Sequence, residues 1–371
     1  MLIPNFSKSH QPDYIFIIAL FITIIIGLIT LSSASTVTSY QKFNDSYYLL
    51  KHQILFGLFP GLILFFLALK INYNKLEKIS PVLLIGSILL LIAVFIPGIG
   101  ATHDRDTKSW INIIGFSFQP SELTKLALIL FLASWLKEKK EKIKNFSQGI
   151  IPFLFILGII CCLIILQPDI GTMSVIAFIS FVMLFVAGAK LKHLSLIALS
   201  GIGLLWILIK TAPYRLARLT IFLNPKLDPL GIGYHINQAF LAIGSGGLFG
   251  LGLGHSQQKF QYLPETIGDS IFAIIAEELG FIFSSALIIL ILFLIFRGLK
   301  IAKNAPNEFT KFTIIGIISW FGFQSFINIA AMVGLAPITG IPLPFISYGG
   351  TSLATSLFAA GILVNISKYT K

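Results

Sequence analysis

Ten long apolar runs divide this chain and restrict it to a fold that crosses a membrane. Hydrophobic residues make up 56% of the sequence and charged residues 11%, whereas about a quarter of a soluble domain is charged. About twenty apolar residues span the hydrocarbon core as a helix. The expected spans are 14–34, 49–69, 81–97, 121–136, 150–166, 170–187, 194–210, 269–297, 312–333 and 345–366. We therefore predict an all-α, polytopic membrane protein that forms one domain over residues 1–371.

The lysine and arginine residues predict which ends of the spans face the cytoplasm. They collect in alternate loops, which is the positive-inside pattern. The loop positions are Lys70, Lys75, Lys78, Lys137, Lys139, Lys140, Lys142, Lys144, Lys190, Lys192, Arg297, Lys300, Lys303 and Lys311. With ten spans, these loops and both termini share the cytoplasmic side. The net charge of +12 then reflects topology, and its spread over separate loops argues against a nucleic-acid partner.

The segment 211–268, between the seventh and eighth spans, is the longest stretch outside the expected membrane core. External loops of this length without a function are uncommon. We predict a turn at 224–229 and a short amphipathic helix at 234–243. The glycine-rich run 244–254 lacks the GK[ST] ending of a phosphate-binding loop, so no nucleotide site is expected there.

Five acidic residues lie beside or within apolar runs on the expected outer side of the membrane: Asp169, Glu265, Asp269, Glu277 and Glu278. Acids at membrane depth are rare and mark functional sites. Asp269 is the candidate general base, with Glu265 as its helper. Glu277 and Glu278 are expected in a structural hydrogen-bond network. Asp169 is expected to cap the sixth helix, with a place in an outer cavity as the open alternative.

The external loop also carries the cations that an anionic substrate requires. Arg215 and Arg218 are three residues apart and can face lipid headgroups or a diphosphate, with interfacial anchoring as the open alternative. Lys259, with Gln257 and Gln258 before it, is expected beside the acids Glu265 and Asp269 and is a further diphosphate candidate.

A second polar group is expected where the fourth span begins. The weak alternation over 110–118 predicts an interfacial hairpin. Pro120 and Ser121 then start a helix with Glu122 in its first turn. Glu122 and Lys125 share a face of this helix. They form either an interfacial ion pair on a capped helix or a charged pair in an outer cavity, where Lys125 would contact a headgroup or diphosphate.

The last external loop, 334–353, contains no charged residue and three prolines. Irregular backbone at membrane depth is tolerated where it is buried in protein or lines a cavity. We therefore predict a re-entrant or lid-like element beside the acidic residues, where Ser347 and Tyr348 among others offer hydroxyl groups.

Five segments together resemble one family. They are FSFQPSELTK, LQPDIGT, GYHINQAFLAIGSGGLFGLGLG, QKFQYLPETIGDSIFAIIAEELG and GIPLPFISYGGTSL. In this order they resemble the SEDS family of FtsW and RodA, which are bacterial peptidoglycan glycosyltransferases with ten spans. The resemblance extends from about Leu31 to Gly361. The form GHSQQKFQYLPE looks closer to the FtsW branch than to the RodA branch.

The resemblance implies polymerisation of lipid II into glycan strands at the outer face of the bacterial cytoplasmic membrane. The acceptor hydroxyl would displace undecaprenyl diphosphate with inversion, and a divalent cation, Mg²⁺ or Mn²⁺, would assist. The implied partners are lipid II, the undecaprenyl-diphosphate-linked glycan, a monofunctional class B penicillin-binding transpeptidase and other division or elongation proteins. The FtsW-type reading implies septal synthesis, and the RodA-type alternative implies elongation.

The resemblance also assigns site residues. The essential acid falls on Asp269, with Glu265 in the same motif. The other implied substrate-binding positions are Trp110, Gln119, Ser121, Glu122 and Lys125.

The sequence departs from the family pattern at two places. Ser109 replaces the usual arginine, with Lys108 as a substitute, and Ile267-Gly268 replaces the usual His-Thr. These departures leave the details of the substrate contacts open.

Two other classes of function stay open from the residues alone. A lipid flippase or transporter would use the membrane acids as a proton relay. A carrier, however, needs a site near the midplane that both faces reach, whereas the acids and the long loop gather on the outer side. A non-catalytic scaffold for division proteins would not depend on Asp269.

Overall fold

The computed structural model describes residues 10–104, 107–113, 116–229, 231 and 233–370. Its α-helices are α1 Tyr14–Ala34, α2 Thr36–Phe43, α3 Tyr48–Ala68, α4 Tyr73–Ala93, α5 Pro120–Lys139, α6 Phe146–Leu166, α7 Ile170–Val186, α8 Leu191–Lys210, α9 Pro213–Leu223, α10 Tyr234–Ser245, α11 Ile271–Lys303, α12 Glu308–Met332 and α13 Gly350–Ser367. Its strands are β1 Gly100–Asp104, β2 Thr107–Ile113 and β3 Phe116–Phe118.

The helices coincide with the predicted apolar runs. Among the described residues, eight helices are long and apolar enough to cross a membrane: α1, α3, α4, α6, α8, α11, α12 and α13. The shorter apolar helix α7 and the charged helix α5 correspond to the other two predicted runs. The prediction of an all-α, polytopic membrane protein is confirmed.

Helices α4 and α9 show the largest differences from the sequence prediction, while α11 ends later than predicted, at Lys303, and α13 begins later, at Gly350. Helix α4 begins at Tyr73, well before the predicted start at 81, because Asn72 caps it by accepting from the Asn74 amide at 2.9 Å. This first turn is polar, so an apolar criterion leaves it out. Helix α9 was not predicted. It begins with Pro213 at its first position, where the missing N–H of proline carries no penalty.

The centre of the bundle is α12, which packs against α5, α7 and α11. Helix α13 packs mainly against α3, and the short helix α10 packs on α11. In the apolar windows, 67% of α12 and 78% of α13 are buried, compared with 6% of α8. Helix α8 therefore lies at the edge of the bundle, and polar groups on α12 face protein on several sides.

Helix α11 breaks at Gly280, where φ is 77° and ψ is −178°. The glycine-rich run beside it supplies the hydrogen bonds that the break removes. The Phe281 amide donates to the Gly247 carbonyl at 2.9 Å, and the Leu251 amide donates to the Glu277 carbonyl at 3.0 Å. This pairing gives the glycines a structural role. The first segment of α11, which carries the acids, is thereby held separately from the second.

The predicted interfacial hairpin is present as an antiparallel sheet. Strands β1 and β2 pair Ala101 with Trp110, and β2 and β3 pair Ile111 with Phe118. Ile111 is buried, and β2 contacts α5, so the hairpin fixes the chain just before that helix begins. The side chain of Lys108, the proposed substitute for the family arginine, lies outside the described residues.

Candidate active site

Asp269 lies in the connection that leads into α11, next to the helix N-cap Ser270. Its side chain is buried, and its backbone carbonyl accepts a hydrogen bond from Asn328 Nδ2 at 2.8 Å. Its carboxylate atom Oδ1 has no hydrogen-bond partner in the described part of the chain. The backbone is thus fixed while one carboxylate oxygen stays free for chemistry.

Burial, followed by the negative charge of Glu265, raises the pKa of Asp269 to about 7. The aspartate's own backbone N–H, the Arg218 guanidinium and the Ser270 hydroxyl act in the opposite direction. Both protonation states are therefore populated near neutral pH. This is the ionisation that a general base working at that pH requires.

Three elements supply the neighbours of Asp269. Glu265 is exposed in the same connection, and Arg218 is exposed on α9. From α10, His235 places its Nε2 atom 2.6 Å from Ser270 Oγ. Burial, followed by the charge of Arg218, lowers the pKa of His235 to about 4. The imidazole is therefore neutral at physiological pH.

His235 and Ser270 are site residues that sequence reasoning missed. The signal for His235 was its position in the motif GYHINQ, at the start of a helix that was predicted. No local pattern joins residue 235 to residue 270. Their contact depends on α10 packing against α11, which the sequence alone does not show.

Lys125 lies in a second, deeply buried group on α5. Its Nζ atom is 2.8 Å from Glu122 Oε1 and 2.8 Å from Gln324 Oε1, and it lies 4.6 Å from the ring centroid of Trp320. The predicted Glu122–Lys125 pair is confirmed, but both side chains are buried and not at the interface. A contact between Lys125 and a diphosphate stays a prediction, because it needs this group to open.

Asp169 caps α7, as predicted. It accepts from the Thr172 amide at 2.8 Å and from the Thr172 hydroxyl at 2.7 Å. It also lies within electrostatic range of Lys125 and Glu122. The cap therefore belongs to the Lys125 group.

Two amide side chains of α12 connect the Lys125 group to the backbone of Asp269. Gln324 Nε2 donates to the Pro342 carbonyl at 2.9 Å, and Asn328 Nδ2 donates to the Ile341 carbonyl at 2.8 Å as well as to Asp269. Sequence reasoning missed both amides. The sequence does contain a pattern that could have identified them: Gln324 and Asn328 are four residues apart in an apolar span and therefore share one helix face.

The last external loop packs beside Asp269, which confirms its predicted position. The Ser347 hydroxyl donates to the Gly268 carbonyl at 2.6 Å, and the Tyr348 amide donates to the Ile267 carbonyl at 2.8 Å. Ile267 and Gly268 replace the usual His-Thr of the family. Here both contribute backbone acceptors, which any side chain at these positions leaves available.

Lys259 lies apart from Asp269 in a third group, and its expected place beside Glu265 and Asp269 was wrong. Its Nζ atom contacts Ser33 Oγ at 3.1 Å, the Gly254 carbonyl at 2.7 Å and Glu278 Oε1 at 3.0 Å. An ammonium has three hydrogens, and these three partners occupy them. A diphosphate contact by Lys259 stays an untested prediction that this geometry does not favour.

Glu277 completes the third group and has the structural network predicted for it. The Ser256 hydroxyl donates to Glu277 Oε2 at 2.5 Å, and the Gln257 and Gln258 amides donate to Oε1 at 2.9 and 3.3 Å. The donors expected near Asp269 therefore serve Glu277. Ser256, Gln257, Gln258 and Lys259 are consecutive in the chain, so all these groups lie on one short turn.

The remaining predicted residues lie around these groups. Arg215 donates from Nη1 to the Leu208 carbonyl at 3.0 Å and from Nε to the Tyr214 hydroxyl at 2.8 Å. These bonds match the anchoring alternative, since they tie α9 to the end of α8. Ser121 is buried and Gln119 is half-buried at the start of α5, and Trp110 lies on β2.

The family resemblance implies a divalent cation, which would need ligand side chains near Asp269. Within the described residues there is no group of three or more His, Cys, Asp or Glu side chains placed to hold a metal ion. Beside Asp269, the arginine Arg218 adds positive charge. The donor set therefore does not fit a cation held by the protein alone.

A family model described as "Cell cycle protein", covering FtsW, RodA and SpoVE, matches residues 13–371. The chain belongs to the FtsW/RodA/SpoVE family. Among its relatives in this family is "Stage V sporulation protein E" of Bacillus subtilis (strain 168), 44% identical over 98% of this chain and 99% of the relative. Another is "Probable peptidoglycan glycosyltransferase FtsW" of Geobacter sulfurreducens (strain DL-1 / KN400), 38% identical over 99% of this chain and 98% of the relative.

Two solved structures share the fold of this family member. One, described as "Structural coordination of polymerization and crosslinking by a peptidoglycan synthase complex", has a TM-score of 0.80 and 27% identity, covering 97% of this chain and 99% of its own. The other is the rod shape determining protein RodA of Thermus thermophilus, with a TM-score of 0.70 and 27% identity over 97% of this chain and 98% of its own.

Proposed function

We propose that this protein is a peptidoglycan glycosyltransferase that polymerises lipid II into glycan strands. Membership of the FtsW/RodA/SpoVE family and relatives named as such glycosyltransferases support the reaction class. The observation that carries the proposal is the Asp269 carboxylate, which is buried, has an unpartnered oxygen and has a pKa of about 7.

In the proposed reaction, ionised Asp269 accepts the proton of the acceptor 4-hydroxyl group. The acceptor oxygen forms a bond to the anomeric carbon of the donor sugar. The bond from that carbon to the diphosphate oxygen breaks with its electron pair, so undecaprenyl diphosphate leaves and the configuration inverts. Arg218, exposed on α9 and electrostatically close to Asp269, is the side chain best placed to stabilise the diphosphate.

The divalent cation enters this proposal only with the substrate. Mg²⁺ keeps several waters and is usually bound by one or two carboxylates together with substrate phosphates. A cation would therefore arrive as a complex with the diphosphate, and no proton or bond in the reaction above is routed through it.

We place the reaction at the outer face of the bacterial cytoplasmic membrane, with both termini in the cytoplasm. The alternating distribution of basic loops supports this orientation. A class B penicillin-binding transpeptidase is the proposed partner, with other division or elongation proteins beside it. Its support is the similarity to a solved chain of a peptidoglycan synthase complex.

We further propose septal synthesis, as for an FtsW-type enzyme. Several relatives bear that name. Elongation by a RodA-type enzyme is the alternative, supported by the similarity to the RodA structure. The relative with 44% identity is a sporulation protein. Localisation of a fluorescent fusion decides between these roles, since septal synthesis requires enrichment at the division site.

Reconstitution in liposomes tests the reaction against the flippase alternative. The protein is incorporated alone and together with a class B transpeptidase of the same organism, and fluorescent lipid II is added. A polymerase produces glycan strands that lysozyme degrades. A flippase moves the label between leaflets without producing strands, and that result would replace the proposed function.

A further inference from the structure

A polar cavity of about 400 Å³ lies at the end of the bundle that is away from Asp269. Its walls come from residues 10–15 at the start of α1, from the end of α11 and from the end of α13. Helix α11 begins close to Asp269 and ends at Lys303, so the cavity and the candidate base lie at opposite ends of this helix. The reaction proposed above makes no use of the cavity.

The charged side chains of this cavity leave one positive charge uncompensated. Arg297 and Lys300 line it, and Asp13 is the one acid among the described residues that do so. The two oxygens of Asp13 accept from Arg297 Nε at 3.0 and 2.8 Å, so this acid balances the arginine. The charge of Lys300 remains, and the cavity therefore suits a ligand with a single negative charge.

The donors that such a ligand needs are also available. A guanidinium has five N–H groups, and Asp13 engages only the one on Nε. The two Nη nitrogens of Arg297 have no hydrogen-bond partner among the described residues, and Lys300 is exposed three residues further along the same helix face. Asp13 itself caps α1 by accepting from the Phe16 amide at 2.9 Å. The guanidinium is thus held in place while its fork, which matches a phosphate group, stays open.

An apolar strip on α1 adjoins the cavity. Tyr14 and Ile15 line the cavity and are about half exposed. Exposed isoleucines continue this strip along one face of α1 at spacings of three and four residues, at Ile18, Ile22, Ile25 and Ile29. Helix α1 is long and apolar enough to cross a membrane, so the strip is a surface for acyl chains. Phosphate donors next to such a surface match a phospholipid better than a soluble phosphate compound.

We propose that this cavity binds the headgroup of an anionic phospholipid, with the phosphodiester on Arg297 and Lys300 and an acyl chain along the isoleucine strip of α1. Basic pockets between membrane helices bind anionic headgroups in this way. A phosphodiester carries the single negative charge that the cavity lacks. A zwitterionic headgroup would add an ammonium beside Lys300, so phosphatidylglycerol is preferred over phosphatidylethanolamine. The inference is independent of the reaction at Asp269.

Native mass spectrometry of the full-length protein in detergent tests this site by resolving single bound lipids. Dioleoyl phosphatidylglycerol, dioleoyl phosphatidylethanolamine and glycerophosphoglycerol, which is the first headgroup without acyl chains, are titrated separately. Detergent avoids the surface potential of a bilayer, which attracts every basic side chain. Lys300→Gln removes a cation from the cavity. Lys303→Gln is the matched control, because Lys303 is also exposed at the end of α11 but does not line the cavity.

The native protein is expected to bind its first phosphatidylglycerol about fivefold more tightly than phosphatidylethanolamine. Lys300→Gln should weaken phosphatidylglycerol binding by about fivefold, the contribution of one basic side chain at an anionic lipid surface. Lys303→Gln should bind as the native protein does, and native melting temperatures show that both variants are folded. Equal phosphatidylglycerol affinities in the three proteins, or equal losses in the two variants, overturn the site. Glycerophosphoglycerol binding as tight as that of phosphatidylglycerol overturns the assignment to a lipid, and equal binding of the two lipids overturns the preference for an anion.

Discussion

The buried acids of this protein differ in the cations that accompany them. Glu122 has Lys125 at 2.8 Å and Glu278 has Lys259 at 3.0 Å, and in both pairs the charges are shielded from solvent. A buried acid with a lysine partner is neutralised inside the fold. Asp269 faces an exposed arginine and another acid instead. Asp269 can therefore gain and lose a proton near neutral pH.

The pH dependence of polymerisation follows from this environment. Asp269 works as a base only when ionised, and burial raises its pKa to about 7. The rate should therefore fall as the pH drops below 7, with about one hundredth of the carboxylate ionised two units lower. Initial rates of glycan synthesis at saturating lipid II, measured between about pH 5 and 9, check this. A rate that stays flat down to pH 5 contradicts the assignment.

The Lys259–Glu278 pair makes a prediction about stability. Lys259→Ala leaves Glu278 buried without its cation, and breaking a buried pair in this way costs about 3–5 kcal/mol. Lys51→Ala is the matched control, because the Lys51–Asp45 pair is exposed and such pairs contribute at most about 1 kcal/mol. Thermal unfolding of the two variants in detergent compares them. Equal melting temperatures would show that the buried pair contributes no more than the surface pair.

At the scale of elements, the sequence predicts the membrane-spanning helices but does not predict the break in α11. An apolar run of about twenty residues predicts a span by itself, and each predicted run coincides with a helix. The break at Gly280 depends on hydrogen bonds from residues about thirty positions earlier in the chain. The residue pattern around Gly280 does not show hydrogen bonds to a segment so far away in the chain. For the same reason the sequence predicts Lys259 beside Glu265 and Asp269, the acids nearest to it in the chain. In the structure Lys259 contacts Glu278, which lies just before the break in α11.

Gly280→Ala tests the break directly. A side chain at a φ of 77° is strained, and an added Cβ would lie 2.3 Å from the Gly250 nitrogen. We expect a loss of stability of at least about 2 kcal/mol, seen as a lower melting temperature. Gly86→Ala is the control, because a Cβ there meets no atom within 4 Å and alanine favours a helix. The prediction fails if the Gly280 variant melts at or above the temperature of the Gly86 variant.

A second prediction at the scale of elements concerns Asn328 on helix α12. Asn328→Ala removes two buried hydrogen bonds, one of which holds the Asp269 backbone. We expect kcat to fall by about tenfold with little change in KM, because the base loses its position.

Asn365→Ala is the matched control for Asn328→Ala. Asn365 also donates two bonds to backbone carbonyls, a buried one to Ala68 and a partly buried one to Ile71, on helix-end backbone distant in sequence from Asp269. It should lower stability without lowering kcat. A similar kcat in both variants would mean that Asn328 acts on stability alone.

Across the part of the molecule that the structure describes, the buried charged side chains fall into three groups. The Asp269 group lies between α9, α10 and the start of α11, and the Lys125 group lies between α5, α7 and α12. The Lys259 group supports the break in α11. From the sequence, Asp269 could be selected as the candidate base, and its external location stays a prediction. The division into groups could not be predicted, since it follows from helix packing between distant segments.

The central claim is that Asp269 is the base for glycan polymerisation, and one substitution tests it most directly. Asp269→Asn keeps the shape of the side chain and removes its ability to accept a proton. Asp45→Asn, at an exposed external acid, is the control with the same chemical change. Polymerisation of fluorescent lipid II by the reconstituted proteins is measured at pH 7.

The account predicts that Asp269→Asn loses at least about 100-fold in rate, while its melting temperature and the rate of Asp45→Asn stay at the native values. An Asp269→Asn protein that polymerises lipid II within about threefold of the native rate would contradict it, because removing a general base costs far more than that.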